Sequence, residues 1–254
     1  MGIDLQELRG YIVDMYSDVA LLPRGKFHFP TGRPLLELLG YAPELLDKIP
    51  IGAIESFAGV GYHFGLEPLK EGERVLDLGS GAGTDAFFAA LHVGAAGSVI
   101  GVDMTDAMLE KAQENLELSS LSNVRFQKAY AESLPFDDES FDVVISNGVI
   151  NLSPVKETVF AEIHRVLAPG GRLMFSDIVT GVELPDSIRD NCALWAECIG
   201  GAQESQRYLR LIEKANFTIE ATSQNERYRF AQDSTLSAAE KFRVHSISIL
   251  AHRN

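Results

Sequence analysis

The chain has 254 residues, 46% of them hydrophobic and 23% charged, so it holds material for the core of one large domain. Its formal net charge of −14 argues against nucleic acid as a partner, because phosphate binding needs a basic stripe. Two cysteines, Cys192 and Cys198, build no disulfide framework and fit a reducing, cytoplasmic setting.

Asp4 stands near the N-terminus, with no basic region ahead of an apolar core, so no signal peptide is expected. Leu5, Leu8, Ile12, Met15 and Val19 fall at helical spacing and predict an amphipathic first helix. Pro23, Pro30, Gly32 and Pro34 predict a loop, and Pro43 suits the first turn of a short helix. Up to about Lys70 no strand alternation is visible. Residues 1–70 therefore read as a helical cap or lid over a body formed by residues 71–254.

From Glu73 the pattern alternates. Strands are predicted at Arg74–Leu78, Ser98–Val102, Val124–Gln127, Phe141–Ser146, Arg172–Ser176, Phe217–Ala221 and Arg243–Leu250. Helices are predicted at Thr84–Val93, Asp106–Leu118, Pro154–Leu167 and Gln206–Ala215. The apolar stretch Ala86–Val102 contains His92 and three glycines, and reads as a helix followed by a strand, not as a membrane span. Pro169–Gly170–Gly171 reads as a turn before the fifth strand, and Arg227–Tyr228–Arg229 as a solvated strand end. Such alternation gives a Rossmann-like, doubly wound α/β sheet of seven strands, mostly parallel.

The most informative stretch is Arg74–Val75–Leu76–Asp77–Leu78–Gly79–Ser80–Gly81–Ala82–Gly83–Thr84. An apolar run with one acid ends in alternating glycines and leads into a helix. Glycines there allow a tight turn and a close approach to a ligand, toward which the amides of the next helix point. A dinucleotide fingerprint would place its third glycine at position 84, which is Thr84. A Walker A loop is excluded, because no Gly-Lys-Ser/Thr follows.

The acid-x-G-x-G-x-G pattern of Asp77, Gly79, Gly81 and Gly83 resembles motif I of the class I S-adenosylmethionine (SAM) methyltransferases. The resemblance implies SAM as cofactor and a last strand inserted antiparallel between its neighbours. Residues placed at the cofactor are Asp77, Gly79, Ser80, Gly81, Gly83, Asp103, Met104, Ala131, Glu132 and Asn147. Asp103 ends the second strand, where a carboxylate accepts hydrogen bonds from a ribose diol; capping the helix at Asp106 is the plainer alternative. Glu132 is either an acid beside the adenine or an exposed loop acid. Asn147 ends the fourth strand, facing the methionine end or filling a turn.

A closer likeness joins Gly40–Tyr41 with Ile49–Pro50, Gly101–Thr105, Ile145–Leu152 and Leu194–Ala202 to the arsenite methyltransferases. That family holds trivalent arsenic with thiolates, as a soft centre prefers sulfur. Only Cys198 matches a family thiol position; the stretch Ala58–Gly59–Val60–Gly61 and Gly148 carry none. Cys192 lies about a third of a turn off the same helical face as Cys198. No metal site is expected. Three readings follow: methyl transfer to a small organic acceptor, methyl transfer to arsenite, or SAM binding without transfer. His28, Tyr62, His63 and Glu197 are the candidate general bases, each with a plainer reading as a surface, packing or solvated residue. The cap's aromatic residues suit a lid that excludes water and admits a small substrate. Neither nucleic acid nor membrane is an expected partner, and oligomeric state is not legible.

Overall fold

The structure, a computed structural model, describes residues 4–231 and 240–254. Helix α1 (Leu5–Leu21) opens at Asp4, whose carboxylate accepts the amides of Gln6 and Glu7 and so satisfies two donors that have no intrahelical partner. The loop expected over Pro23–Pro34 is helical from Gly32, where α2 (Gly32–Leu39) begins. Pro34 is third in that helix, within the first turn, where an amide has no helical acceptor to lose. Helix α3 (Pro43–Leu46) starts on Pro43 as expected, and α4 (Ile51–Glu55) follows.

Strand and helix then alternate as β1 (Arg74–Leu78), α5 (Thr84–Val93), β2 (Ser98–Asp103), α6 (Asp106–Leu118), β3 (Val124–Lys128), β4 (Phe141–Asn147), α7 (Lys156–Val166) and β5 (Leu167–Thr180). Next come α8 (Asp186–Arg189), α9 (Cys192–Ala196), β6 (Gln203–Glu204), α10 (Ser205–Lys214), β7 (Phe217–Gln224) and β8 (His245–Arg253). Among the described residues no helix is long and apolar enough to cross a membrane.

The sheet runs β3-β2-β1-β4-β5-β8-β7, with β8 antiparallel to both of its neighbours. All seven expected strands are present, and the last is inserted as the resemblance implies. An eighth strand, β6, pairs parallel with the end of β5; at two residues it is too short for periodicity to reveal. β5 starts earlier than expected, because Pro169–Gly170–Gly171 bends the strand instead of preceding it. Gly170 has φ +74, and the register against β4 shifts between Phe141 and Val143. β8 starts later than expected, because Arg243 has φ +52 and leaves the extended region.

Side-chain alternation splits the core in two. Val75, Val143, Ile145 and Met174 pack on the face covered by α5 and the N-terminal helices, together with Leu8, Leu35 and Tyr41. Leu76, Val144, Leu173 and Phe175 pack on the other face, against Phe160 of α7 and Tyr208 of α10. Strand order reverses between β1 and β4, which opens a crevice at their carboxyl ends.

Candidate functional site

A cavity occupies that crevice, with α1 as its roof. Its empty space, open mouth included, is about 1260 Å³. Every residue that the sequence places at the cofactor lines it except Gly83.

The floor is the turn between β1 and α5. Gly79, Gly81 and Gly83 all have positive φ, at +74, +52 and +99. A Cβ on Gly79 would overlap the Val149 side chain across the crevice. Gly83 serves differently from expectation. It precedes α5 in the left-handed region, and a Cβ there would stand 2.6 Å from Phe126, behind the cavity wall. Its glycine is required by core packing at a helix start, so Gly83 shapes the turn without facing the cavity.

Asp103 is held by backbone amides on both of its oxygens. One carboxylate oxygen accepts the Thr105 amide at 2.8 Å, next to the start of α6, and the other accepts the Gly81 amide at 2.9 Å. Each oxygen keeps a lone pair for a further donor. Burial raises its pKa, while the backbone donors lower it.

Two acids lie beside this floor. Asp77 is 2% exposed, and its Oδ2 has no hydrogen-bond partner. Burial pushes its pKa well up, and the charges of Asp85 and Asp103 add to that shift. Asp85, which sequence reasoning does not single out, also lines the cavity. Burial raises it to about 6, against hydrogen bonds from the Tyr41 hydroxyl at 2.6 Å and the Asn147 amide at 2.9 Å. Ser80 adds a second buried, partnerless oxygen to the wall.

Asn147 lines the cavity, but its amide is committed to protein partners. Its Oδ1 accepts the amides of Val60 at 2.7 Å and Gly61 at 3.2 Å. Its Nδ2 donates to Asp85 and to the Gly61 carbonyl. It stitches the loop at residues 58–61 to β4, of which it is the last residue and not a turn residue.

Across the cavity, Ala131 and Glu132 stand beside Met104 in the lining. Glu132 accepts the Ser153 hydroxyl at 2.7 Å and lies 4.0 Å from the Arg9 guanidinium of α1. The roof presents Leu5, Leu8, Arg9, Ile12 and Tyr16, one stripe of the helix. Arg9 and Tyr16 escaped sequence reasoning, since amphipathic spacing marks a buried stripe and not what the stripe covers.

None of the four candidate bases lines the cavity. His28 and His63 are buried, and burial lowers them to about 4 and about 3. Tyr62 packs against Tyr41. Glu197 is raised by burial, away from the lining. Cys198 lies behind the roof, its Sγ 3.8 Å from the Tyr16 hydroxyl, and burial lifts the thiol to about 12. It is not on α9, which ends at Ala196, and its φ is +62. The helical-face relation to Cys192 therefore does not hold. Among the described residues no cluster of three His, Cys, Asp or Glu side chains could hold a metal.

The Methyltransferase domain family matches residues 69–216, more than half of the chain. The chain belongs to the class I SAM methyltransferases, close to the arsenite family. An arsenite methyltransferase of Halobacterium salinarum is 40% identical over 198 residues, covering 78% of this chain and 50% of its own. The crystal structure of CrArsM, an arsenic (III) SAM methyltransferase from Chlamydomonas reinhardtii, is 35% identical with a TM-score of 0.63. That match covers 88% of this chain and 73% of CrArsM. The chain spans about half the length of the curated relatives it matches. The [4+2]-cyclase SpnF shares the fold over the whole chain, with a TM-score of 0.65 at 18% identity. One fold thus carries unlike reactions, and the reaction is argued from the site.

Proposed function

We propose that the chain transfers a methyl group from SAM to a small acceptor molecule, with residues 1–70 as the lid and 71–254 as the cofactor-binding body. One observation carries this reading. Residues from well-separated segments, namely Asp77–Gly81, Asp103–Met104, Ala131–Glu132 and Asn147, converge on one cavity.

SAM supplies an electrophilic methyl on a sulfonium, and the leaving thioether is neutral. The chain's own residues then bind and align. The remaining lone pairs of Asp103 suit a ribose diol, and the Gly79–Gly81 backbone lets the nucleoside approach. A cationic end seated beside Asp77 and Asp85 would favour their ionised forms, against the burial that raises both. Leu8, Ile12 and Tyr16 of α1 keep water out. Alignment of this kind can supply roughly 7–11 kcal/mol of a bimolecular barrier. Among the described residues no histidine and no thiol lines the cavity, so a proton acceptor, where the acceptor molecule needs one, comes from its carboxylates or the Tyr16 phenol. The net charge of −14 disfavours nucleic acid as acceptor.

Arsenite is the second reading, favoured by likeness to arsenite methyltransferases. Against it, Ala58, Gly59 and Gly148 line the cavity where the resemblance places thiols, and Cys198 stays protonated behind Tyr16. Calorimetric titration with SAM, S-adenosylhomocysteine and NAD tests the cofactor: the first two should saturate and NAD should be silent. S-adenosylhomocysteine release across an acceptor panel then tests transfer. Arsenite-dependent turnover that Cys198→Ser abolishes would select the second reading.

A further inference from the structure

A buried lysine and a buried aspartate, both bonded to Asn151, lie beneath one wall of the cavity, outside the chemistry proposed above. Lys156 opens α7 and is 2% exposed. Its ammonium donates to the carbonyl of Asn151 at 2.8 Å and of Ser153 at 2.7 Å, and sits 4.9 Å from the Trp195 ring centroid. Asp177 of β5 is fully buried and answers from the other side. Its carboxylate accepts the Asn151 amide at 2.8 Å and the Tyr208 hydroxyl at 2.5 Å. Asn151 is therefore gripped at both of its backbone polar atoms. Burial drives the pKa of Lys156 down and that of Asp177 up, toward each other. Burying two charges is costly, and an apolar pair of similar volume often serves stability as well or better.

The gripped segment forms a wall. Leu152, Ser153 and Val155 line the cavity, and the Ser153 hydroxyl reaches Glu132, which faces Arg9 of the roof. Contacts thus run from the ammonium through Ser153 to the opposite wall and on to the roof.

We propose that Lys156 is a positioning residue for the cofactor: by holding the carbonyls of Asn151 and Ser153, its ammonium sets the Ser153–Glu132 contact that shapes the wall beside Ala131. This rests on the SAM reading above. The competing role is charge balance alone, in which Lys156 only neutralises Asp177. The two roles differ in what a neutral pair would do.

The test titrates SAM into wild type, S153A, K156M, D177N, K156M/S153A and K156M/D177N by calorimetry, with thermal midpoints measured in parallel. K156M should bind SAM about tenfold or more weakly, because a hydrogen bond from a charged donor is lost. K156M/D177N should regain much of the midpoint, since Asp177 is no longer an unpaired buried charge, yet stay as weak toward SAM. S153A should cost less affinity in the K156M background than alone. Wild-type affinity in K156M, or affinity and midpoint restored together in K156M/D177N, would overturn the proposal. Should K156M fail to fold, the double variant is read against D177N, which alters the Asn151 acceptor but keeps the ammonium: weaker binding by the double variant than by D177N supports positioning, and equal binding overturns it. A wild type that does not bind SAM defeats the cofactor reading itself. Binding by wild type that is unchanged in K156M defeats only this inference.

Discussion

The floor and the roof of the cavity are built by different means. Backbone makes the floor: glycines at positive φ, and two amides that clamp Asp103. Side chains make the roof: Arg9 stands 4.0 Å from Glu132, and Tyr16 reaches Cys198 across 3.8 Å. A backbone floor has one shape and tolerates little change. The roof is a stripe of side chains, buried at Leu8 and Ile12 and half-exposed at Arg9. The site is a backbone seat under a side-chain cover.

Four measurements would break or sharpen that contrast. The largest effect should come from Gly79→Val. Positive φ and overlap with Val149 together should cost about 3 kcal/mol or more in chemical denaturation. A loss below about 1 kcal/mol would show that the floor yields. Next, Asp103→Ala should weaken SAM about 100-fold, from two lost charge-assisted hydrogen bonds; wild-type affinity would place the cofactor elsewhere. Third is pH. Asp85, raised to about 6, favours its protonated form in the empty site, whereas a cationic ligand favours the ionised form. Binding then releases a proton, and SAM affinity should rise about tenfold from about pH 5 to pH 7. A flat profile would detach the acids from the ligand. For the protein alone the sign is opposite: the raised pKa stabilises the fold below about pH 4, and this is lost as pH rises through about 6. The smallest effect belongs to Arg9→Ala. Its ion pair is long and exposed, so stability should move by about 0.5 kcal/mol or less. The dissociation rate of SAM should still rise a few-fold in stopped flow, and an unchanged rate would mean that the roof does not gate the cavity.

Legibility followed the same division. The floor could be read because its demands are local. A glycine spacing and an acid at a strand end are visible within a few residues, and the strands around them show in their own alternation. Asp85 was not legible because a first-turn acid after a glycine turn looks like an ordinary helix start. Lys156 reads as a solvated helix residue until Asn151, Ser153 and Asp177 close around it. Gly83 marks the reverse case: its motif position was right, while its cause is the Phe126 ring behind the turn. The roof depends on α1 packing against α6 and α9, far along the chain, and no pattern within α1 encodes that.

The order in which the sheet is strung has a consequence for how the protein comes into being. β8 is inserted between β5 and β7, yet it follows both in the chain. During synthesis the edge of β5 is complete long before residues 245–253 exist to cover it. A nascent chain therefore carries a bare, apolar strand edge, the kind of template on which neighbouring chains aggregate. Closure of the sheet waits for its most distant pairing, so yield in the cell should follow how well that edge is sheltered more than how stable the finished fold is.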